Sequence, residues 1–141
     1  MRTQIIKALL WLALLMSGCA NSWADTATDD ARQSLKNYGL TRCLLEALPD
    51  QPSMLREDLA SASRAYHFMG KGAHQILQDE ETMDILHDPY LDTRDFVLKR
   101  YTADGSPMKA GNGNSAFHAC LAIYNSTEFD QFIRGQDAYL P

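Results

Sequence analysis

The chain has 141 residues, of which 45% are hydrophobic and 22% are charged, and its formal net charge is −5. This composition is typical of a folded globular protein and excludes a wholly disordered chain. The negative charge also argues against a nucleic-acid partner, because phosphate binding needs clustered basic residues. Lys99-Arg100 is the only pair of adjacent basic residues in the sequence.

The first 24 residues are predicted to be an export signal. Arg2 and Lys7 precede an apolar run over residues 8–16, and small and polar residues lead to a cleavage site after Ala24. A membrane-spanning helix needs about 20 apolar residues, so a retained anchor is disfavoured. Cleavage would leave one domain over residues 25–141, and losing the two basic residues would take the net charge from −5 to −7.

A second interpretation of the same segment concerns Cys19. The run Met16-Ser17-Gly18-Cys19 resembles a lipoprotein box, in which Cys19 becomes lipidated and attaches the protein to a membrane. Both interpretations predict export to the periplasm.

Cys43 and Cys120 are the two cysteines of the domain that remains. An even pair in an oxidising compartment indicates a disulfide. Bridging them would close a long loop, which is worth roughly 4 kcal/mol in a chain-entropy model. The alternative is a reactive thiol at Cys120 with His118 as a nearby base.

Hydrophobic spacing predicts an all-α fold, a small bundle of five to six helices, and no segment shows the alternation typical of strands. The first helix is predicted over residues 29–48, with Cys43 on its apolar face. Gly39 lies inside this helix and predicts either a bend or a close approach to a neighbouring element.

Three further helices are predicted in the middle of the chain. Apolar residues at helical spacing indicate a second helix over residues 55–69, which the glycines that follow it end. A third helix with an acidic outer side is predicted over residues 73–87. Asp88 is predicted to cap a fourth helix over residues 89–101.

The last third of the chain contains a loop and two helices. A glycine-rich loop is predicted over residues 102–114. Ser115 or the asparagine before it begins a fifth helix with Cys120 on its apolar face. Ser126 is predicted to cap a short last helix.

Common catalytic and metal-binding patterns are missing from the sequence. The histidines show no HExxH spacing, and there is no calcium loop, haem-attachment motif, phosphate-binding loop or serine-hydrolase motif. We therefore expect no enzyme, cofactor, metal or small-molecule substrate, and a binding protein becomes the default interpretation. The histidines are predicted to lie at the surface or at helix caps: His67, His74, His87 and His118.

The predicted loop over residues 102–114 is the candidate binding surface, because long loops in compact domains are often functional, although they can also be merely mobile. Its polar and thioether side chains offer adaptable contacts to a partner. The candidate binding residues are Asp104, Gly105, Ser106, Met108 and Lys109.

Several short runs resemble the immunity proteins of type VI secretion amidases. They are Arg42-Cys43-Leu44, Tyr66 through Gly70, Tyr101 ahead of a glycine-containing loop, and the run from Cys120 to Ser126. The resemblance covers about residues 30–134 and keeps both cysteine motifs in order. Phe68 stands where the family tends to have an acidic residue.

The resemblance implies a helical periplasmic protein, usually a homodimer, that inhibits a peptidoglycan amidase delivered by neighbouring cells. The amidase would be a papain-like cysteine peptidase. The immunity protein would block its active-site cleft with a loop or a helix edge and would supply no reacting group. Two alternatives stay open: an envelope lipoprotein with a scaffolding or chaperone role, suggested by Cys19, and a cysteine-dependent enzyme.

Overall fold

A computed structural model describes residues 2–50, 52–104 and 115–141, with side chains described from residue 25 onward. Most of this part of the chain is helical, as predicted. Two short strands, β1 (Leu77–Gln78) and β2 (Ile85–His87), pair antiparallel. The helices are α1 (Arg2–Ala47), α2 (Ser53–Ala65), α3 (Pro89–Asp104), α4 (Ala116–Tyr124), α5 (Thr127–Gly135) and a 3-10 helix over Gln136–Tyr139.

The chain divides into two compact units, Met1–Asp30 and Ala31–Pro141. The first unit contains the N-terminal part of α1, and the second contains the rest of α1 and all later elements. The predicted cleavage after Ala24 and the lipidation at Cys19 fall outside the residues whose side chains are described. Over the part of the chain that could be searched, no helix has both the length and the apolar character needed to cross a bilayer.

The core of the second unit contains a disulfide between α1 and α4. Cys43 and Cys120 are bonded at 2.11 Å, their Cα atoms are 5.8 Å apart, and both side chains are fully buried. The predicted bridge is therefore confirmed, and neither sulfur is a thiol that could react with the help of His118. The surrounding core includes Leu35, Tyr90, Val97, Phe129 and Ile133.

Gly39 allows α1 to lie close to α3 and α5. A Cβ atom at this position would lie 2.8 Å from Cζ of Phe129 and 3.0 Å from Cγ2 of Thr93. Real side chains do not tolerate such short contacts, so the predicted close approach is confirmed.

Two predicted helix caps are also confirmed. Asp88 Oδ1 accepts hydrogen bonds from the backbone N–H groups of Tyr90 at 2.9 Å and Leu91 at 3.1 Å. Ser126 Oγ accepts from the backbone N–H of Phe129 at 3.2 Å. The helix that Asp88 caps extends to Asp104, so three residues of the predicted loop are helical.

The prediction of a third helix over residues 73–87 is wrong, because this segment forms the β1–β2 hairpin and its approach. The Asp79 side chain accepts hydrogen bonds from the backbone N–H groups of Glu81 at 2.9 Å and Thr82 at 2.8 Å. These local bonds compete with helical ones and close a turn. Gln75 in turn donates its backbone N–H to the carbonyl of Tyr139 at 2.8 Å, far along the chain.

The second predicted helix is shorter than expected. It ends at Ala65, and residues 66–72 form a tight turn instead of continuing to Met69. A Cβ at Gly70 would collide with the backbone of Ala65, and one at Gly72 would collide with the Tyr90 hydroxyl. The two glycines therefore end the helix, as predicted, but earlier than the apolar spacing suggests.

Removing the disulfide should destabilise the protein strongly. We expect Cys43→Ala to lower the free energy of unfolding by about 4 kcal/mol, because the unfolded chain regains the entropy of a 77-residue loop. Denaturation with and without reductant measures this, and Cys43→Ala/Cys120→Ala controls for the unpaired thiol. Equal midpoints in oxidising and reducing conditions would contradict the bridge.

The close approach at Gly39 gives a second stability test. Gly39→Ala should cost about 1–3 kcal/mol, since the added methyl group has no room. Gly135→Ala is the matched control, because a Cβ there meets nothing within 4 Å among the described atoms and alanine favours a helix by about 0.5–1 kcal/mol. Thermal unfolding compares the two, and similar melting temperatures would rule out tight packing at Gly39.

Candidate functional site

The resembling run from Cys120 to Ser126 lies where α4 and α5 meet α1, and its side chains hold these helices together. The Tyr124 hydroxyl accepts a hydrogen bond from Gln33 Nε2 at 2.6 Å and donates one to Asn37 Oδ1 at 3.2 Å. Lys36 Nζ lies 4.6 Å from the centre of the Tyr124 ring and 2.6 Å from Oδ1 of Asp130. These contacts stabilise the packing of the three helices, so we look for a binding surface elsewhere.

The turn over residues 66–72 packs an aromatic cluster against α1 and α3. The His67 ring lies 4.3 Å from that of Tyr90 and 5.6 Å from that of Tyr38, measured between ring centres. Burial raises the pKa of Tyr38, and it raises the pKa of Tyr90 to about 12. Both phenols therefore stay protonated at neutral pH, and their rings pack between the turn and the helices.

The loop predicted as the binding surface is described only over residues 102–104, at its start. Asp104, the last residue of α3, forms an ion pair with Arg100 Nε at 3.0 Å, one helical turn earlier. Beside this pair, residues of α3 and α4 line a cleft of about 160 Å³. The other four candidate residues, Gly105, Ser106, Met108 and Lys109, lie outside the described residues.

A different part of the chain holds most of the large hydrophobic side chains that are exposed among the described residues. Six large apolar side chains between residues 68 and 86 are 47–82% exposed. We call them the hairpin surface: Phe68, Met69, Leu77, Met83, Ile85 and Leu86. Large exposed apolar areas on soluble proteins commonly mark sites of protein–protein contact. The sequence prediction missed this surface because it assigned several of these residues to the buried side of a helix.

A recess adjoins the hairpin surface. Its volume is about 630 Å³, and Phe68, Ile76 and Ile85 lie on its border together with glutamine side chains of the hairpin. A recess of this size can accept one or two side chains of a protein partner.

The base of the hairpin is held by the C-terminal 3-10 helix. The His87 ring stacks on Tyr139 with 3.7 Å between ring centres, and His87 Nε2 lies 2.9 Å from Oε1 of Gln136. The backbone bond between Gln75 and Tyr139 fixes the incoming side of the hairpin. The exposed apolar side chains therefore stand on a positioned support, which lowers the entropy cost of binding.

His74 lies in the core, contrary to the prediction that the histidines lie at the surface or at caps. It is 1% exposed, and among the described residues neither of its ring nitrogens has a hydrogen-bond partner. Burial lowers its pKa, an effect that Asp137 opposes and Arg32 reinforces. Arg32 is itself paired with Asp137 through Nε at 3.0 Å. His67 and His87 are half-buried, and His118 is exposed as expected.

Among the side chains that the structure describes, no group of three or more His, Cys, Asp or Glu residues could hold a metal ion. The hairpin surface contains six of the ten large hydrophobic side chains that are exposed among the described residues.

No family model, curated protein or solved structure matches this chain. The resemblance to amidase immunity proteins therefore stays a prediction, and the functional argument rests on the hairpin surface.

The buried His74 predicts that acid destabilises the protein. Its folded-state pKa lies below the ordinary 6.5, so below about pH 6.5 the unfolded chain binds a proton that the folded chain excludes. The free energy of unfolding should thus fall as the pH drops from about 7.5 to about 5. Burial lowers the pKa of His67 in the same direction.

Urea denaturation at both pH values measures this dependence. His74→Gln should flatten it, and His67→Gln should remove part of the dependence that remains. An unchanged slope in His74→Gln would show that this ring does not couple folding to pH.

Proposed function

We propose that the protein is an immunity protein that binds a peptidoglycan amidase delivered by type VI secretion and inhibits it in the periplasm. The observation that carries this proposal is the hairpin surface, a set of exposed apolar side chains supported by a disulfide-bonded helical frame. An inhibitor of this kind needs a preformed contact surface and no reacting group of its own.

We propose that the contact with the amidase is made by the hairpin surface, whereas the sequence alone predicted the loop over residues 102–114. Ile85 and Leu86 are 58% and 60% exposed and follow the hairpin turn, so they can reach into a concave partner surface. Apolar anchors surrounded by polar residues are typical of tight protein interfaces. The loop over residues 102–114 stays a second candidate for contact with the active-site cleft of the amidase. A deletion in this loop is compared below with a substitution in the hairpin.

The cellular part of the proposal comes from the sequence. Export predicts the periplasm, where the substrate of a wall amidase lies. A mature net charge of −7 would speed the encounter with a basic effector surface. We also propose that the protein is a homodimer, because the resemblance to amidase immunity proteins implies one. The alternative of an envelope lipoprotein with a scaffolding or chaperone role depends on Cys19 and predicts no amidase inhibition.

The direct test mixes protein recovered from the periplasm with the wall amidase encoded beside it and follows the release of muropeptides. We expect cleavage to stop near equal molar amounts of the two proteins. Undiminished cleavage in an excess of the protein would reject the inhibitor function and favour the scaffolding alternative.

A matched pair of substitutions tests the contact surface. Ile85→Asp should weaken inhibition by tenfold or more, because a charge replaces an apolar anchor, a loss of about 1.4 kcal/mol or more. Met54→Asp is the control, since Met54 is 81% exposed at the start of α2, outside the hairpin surface. Both variants should keep the wild-type melting temperature.

Deleting residues 104–109 compares the loop with the hairpin. If the loop contacts the enzyme, the deletion should reduce inhibition more than Ile85→Asp does. A deletion variant that inhibits like the wild type would assign the contact to the hairpin surface alone.

A further inference from the structure

Met83, at the tip of the hairpin, has a backbone conformation that side chains rarely adopt. Its φ angle is 62°, and no other non-glycine residue among those the structure describes has a positive φ. This left-handed region is accessible to glycine without steric cost, whereas an unbranched or branched side chain is disfavoured there.

The turn itself imposes this conformation. Met83 donates its backbone N–H to the carbonyl of Asp79 at 3.0 Å, and Asp79 donates its own to the carbonyl of Asp84 at 2.9 Å. The Thr82 hydroxyl donates to Oδ2 of Asp84 at 2.9 Å. These bonds use the backbone and the polar neighbours, so glycine at position 83 would make the same turn with less strain.

The side chain of Met83 contributes little to the fold. It is 65% exposed and does not belong to the hydrophobic core. A residue with a strained backbone whose side chain is mostly exposed and lies outside the core points to a use outside the fold. Methionine is suited to such a use, because its flexible thioether fits apolar pockets of different shapes.

The residues around Met83 give this tip a strongly negative charge. Asp79, Glu80, Glu81 and Asp84 surround it in sequence, and no lysine or arginine occurs between Lys71 and Arg94. Among the described residues, the ion pairs use other carboxylates and leave Glu80 and Glu81 without a basic partner. An apolar tip within an acidic frame is complementary to an apolar pocket with basic residues at its rim.

We propose that Met83 is the anchor residue with which the hairpin docks into an apolar pocket bordered by lysine or arginine side chains on the partner enzyme. This inference rests on the proposed function, since the partner is the amidase of that proposal. It adds the chemistry of the partner surface and names the residue that enters it. The charges of Glu80 and Glu81 then increase the association rate, and the buried side chain of Met83 lowers the dissociation rate of the complex.

Met83→Gly separates binding from folding, because the two should change in opposite directions. We expect a melting temperature equal to or above that of the wild type, and affinity for the neighbouring amidase at least tenfold weaker in calorimetry. Met83→Leu keeps an apolar side chain and should bind within a few-fold of the wild type. Met54→Ala removes another exposed methionine, from α2, and should change neither property.

The results can overturn the anchor role in two ways. If Met83→Gly binds as tightly as Met54→Ala, the side chain is not an anchor. If Met83→Gly loses affinity and melting temperature together, the side chain supports the fold instead. Met83→Asn provides a second test, because asparagine adopts a positive φ more readily than most residues and does not add the backbone freedom of glycine.

A matched charge reversal tests the acidic frame. Glu80→Lys/Glu81→Lys should slow association with the amidase severalfold and reduce its dependence on salt. Glu57→Lys/Asp58→Lys makes the same change in net charge on exposed positions of α2. Equal slowing by both pairs would reduce the effect to net charge and overturn the basic rim.

The wild type distinguishes this inference from the function on which it rests. No binding of the amidase by the wild-type protein would overturn the proposed function together with the docking partner. Tight wild-type binding that survives both the Met83 and the Glu80/Glu81 variants would overturn the docking mode alone.

Discussion

The Cys43–Cys120 disulfide joins α1 to α4 within the core, and it encloses α2, the hairpin and α3 in one closed loop of 77 residues. The two ends of that loop are fixed in the core, and Cys43 lies one helical turn after Gly39, where α1 approaches α3 and α5 closely. Elements inside such a loop lose much of their freedom in the unfolded chain, so a small core can keep them ordered. The hairpin depends on this arrangement, because two short strands are at best marginally stable alone.

Two sets of contacts connect the hairpin to that frame. On its incoming side, the Tyr90 hydroxyl donates to the carbonyl of His74 at 3.1 Å, and the lack of a side chain at Gly72 makes room for it. On its outgoing side, His87 stacks on Tyr139 of the C-terminal 3-10 helix. The base is thus fixed by distant parts of the chain, and the exposed tip is free to carry residues that the fold does not need.

The sequence predicts well those features that depend on neighbouring residues. Asp88 and Ser126 cap their helices through local hydrogen bonds, and the apolar spacing on either side of them is regular. The disulfide was predicted from the number of cysteines and from the predicted compartment. Gly39 could be recognised as a special position, but its neighbours Thr93 and Phe129 come from other helices, so only the structure distinguishes a bend from a close contact.

Residues 73–87 show where that approach fails. Leu77, Met83 and Leu86 have spacings compatible with one helical side, yet the Asp79 turn and the bond from Gln75 to Tyr139 determine the segment. The Asp79 side chain binds backbone N–H groups that a helix would use, and the Gln75 bond joins residues far apart in sequence. Hydrophobic spacing detects neither of these contacts. The hairpin surface was missed for the same reason, since exposure is decided by the tertiary fold.

The residues behind the family resemblance and the residues of the hairpin surface have different roles. Cys43, Cys120, Tyr124 and Ser126 bond or cap the helices, so they would recur in any protein with this frame, whatever it binds. Met83 and its acidic neighbours belong to no motif, and the side chains of Met83, Glu80 and Glu81 are exposed. A resemblance that depends on residues holding the helices together therefore predicts the fold better than it predicts the binding partner. The partner contact that we propose rests on the hairpin, where the positive φ of Met83, exposed apolar side chains and acidic residues occur together.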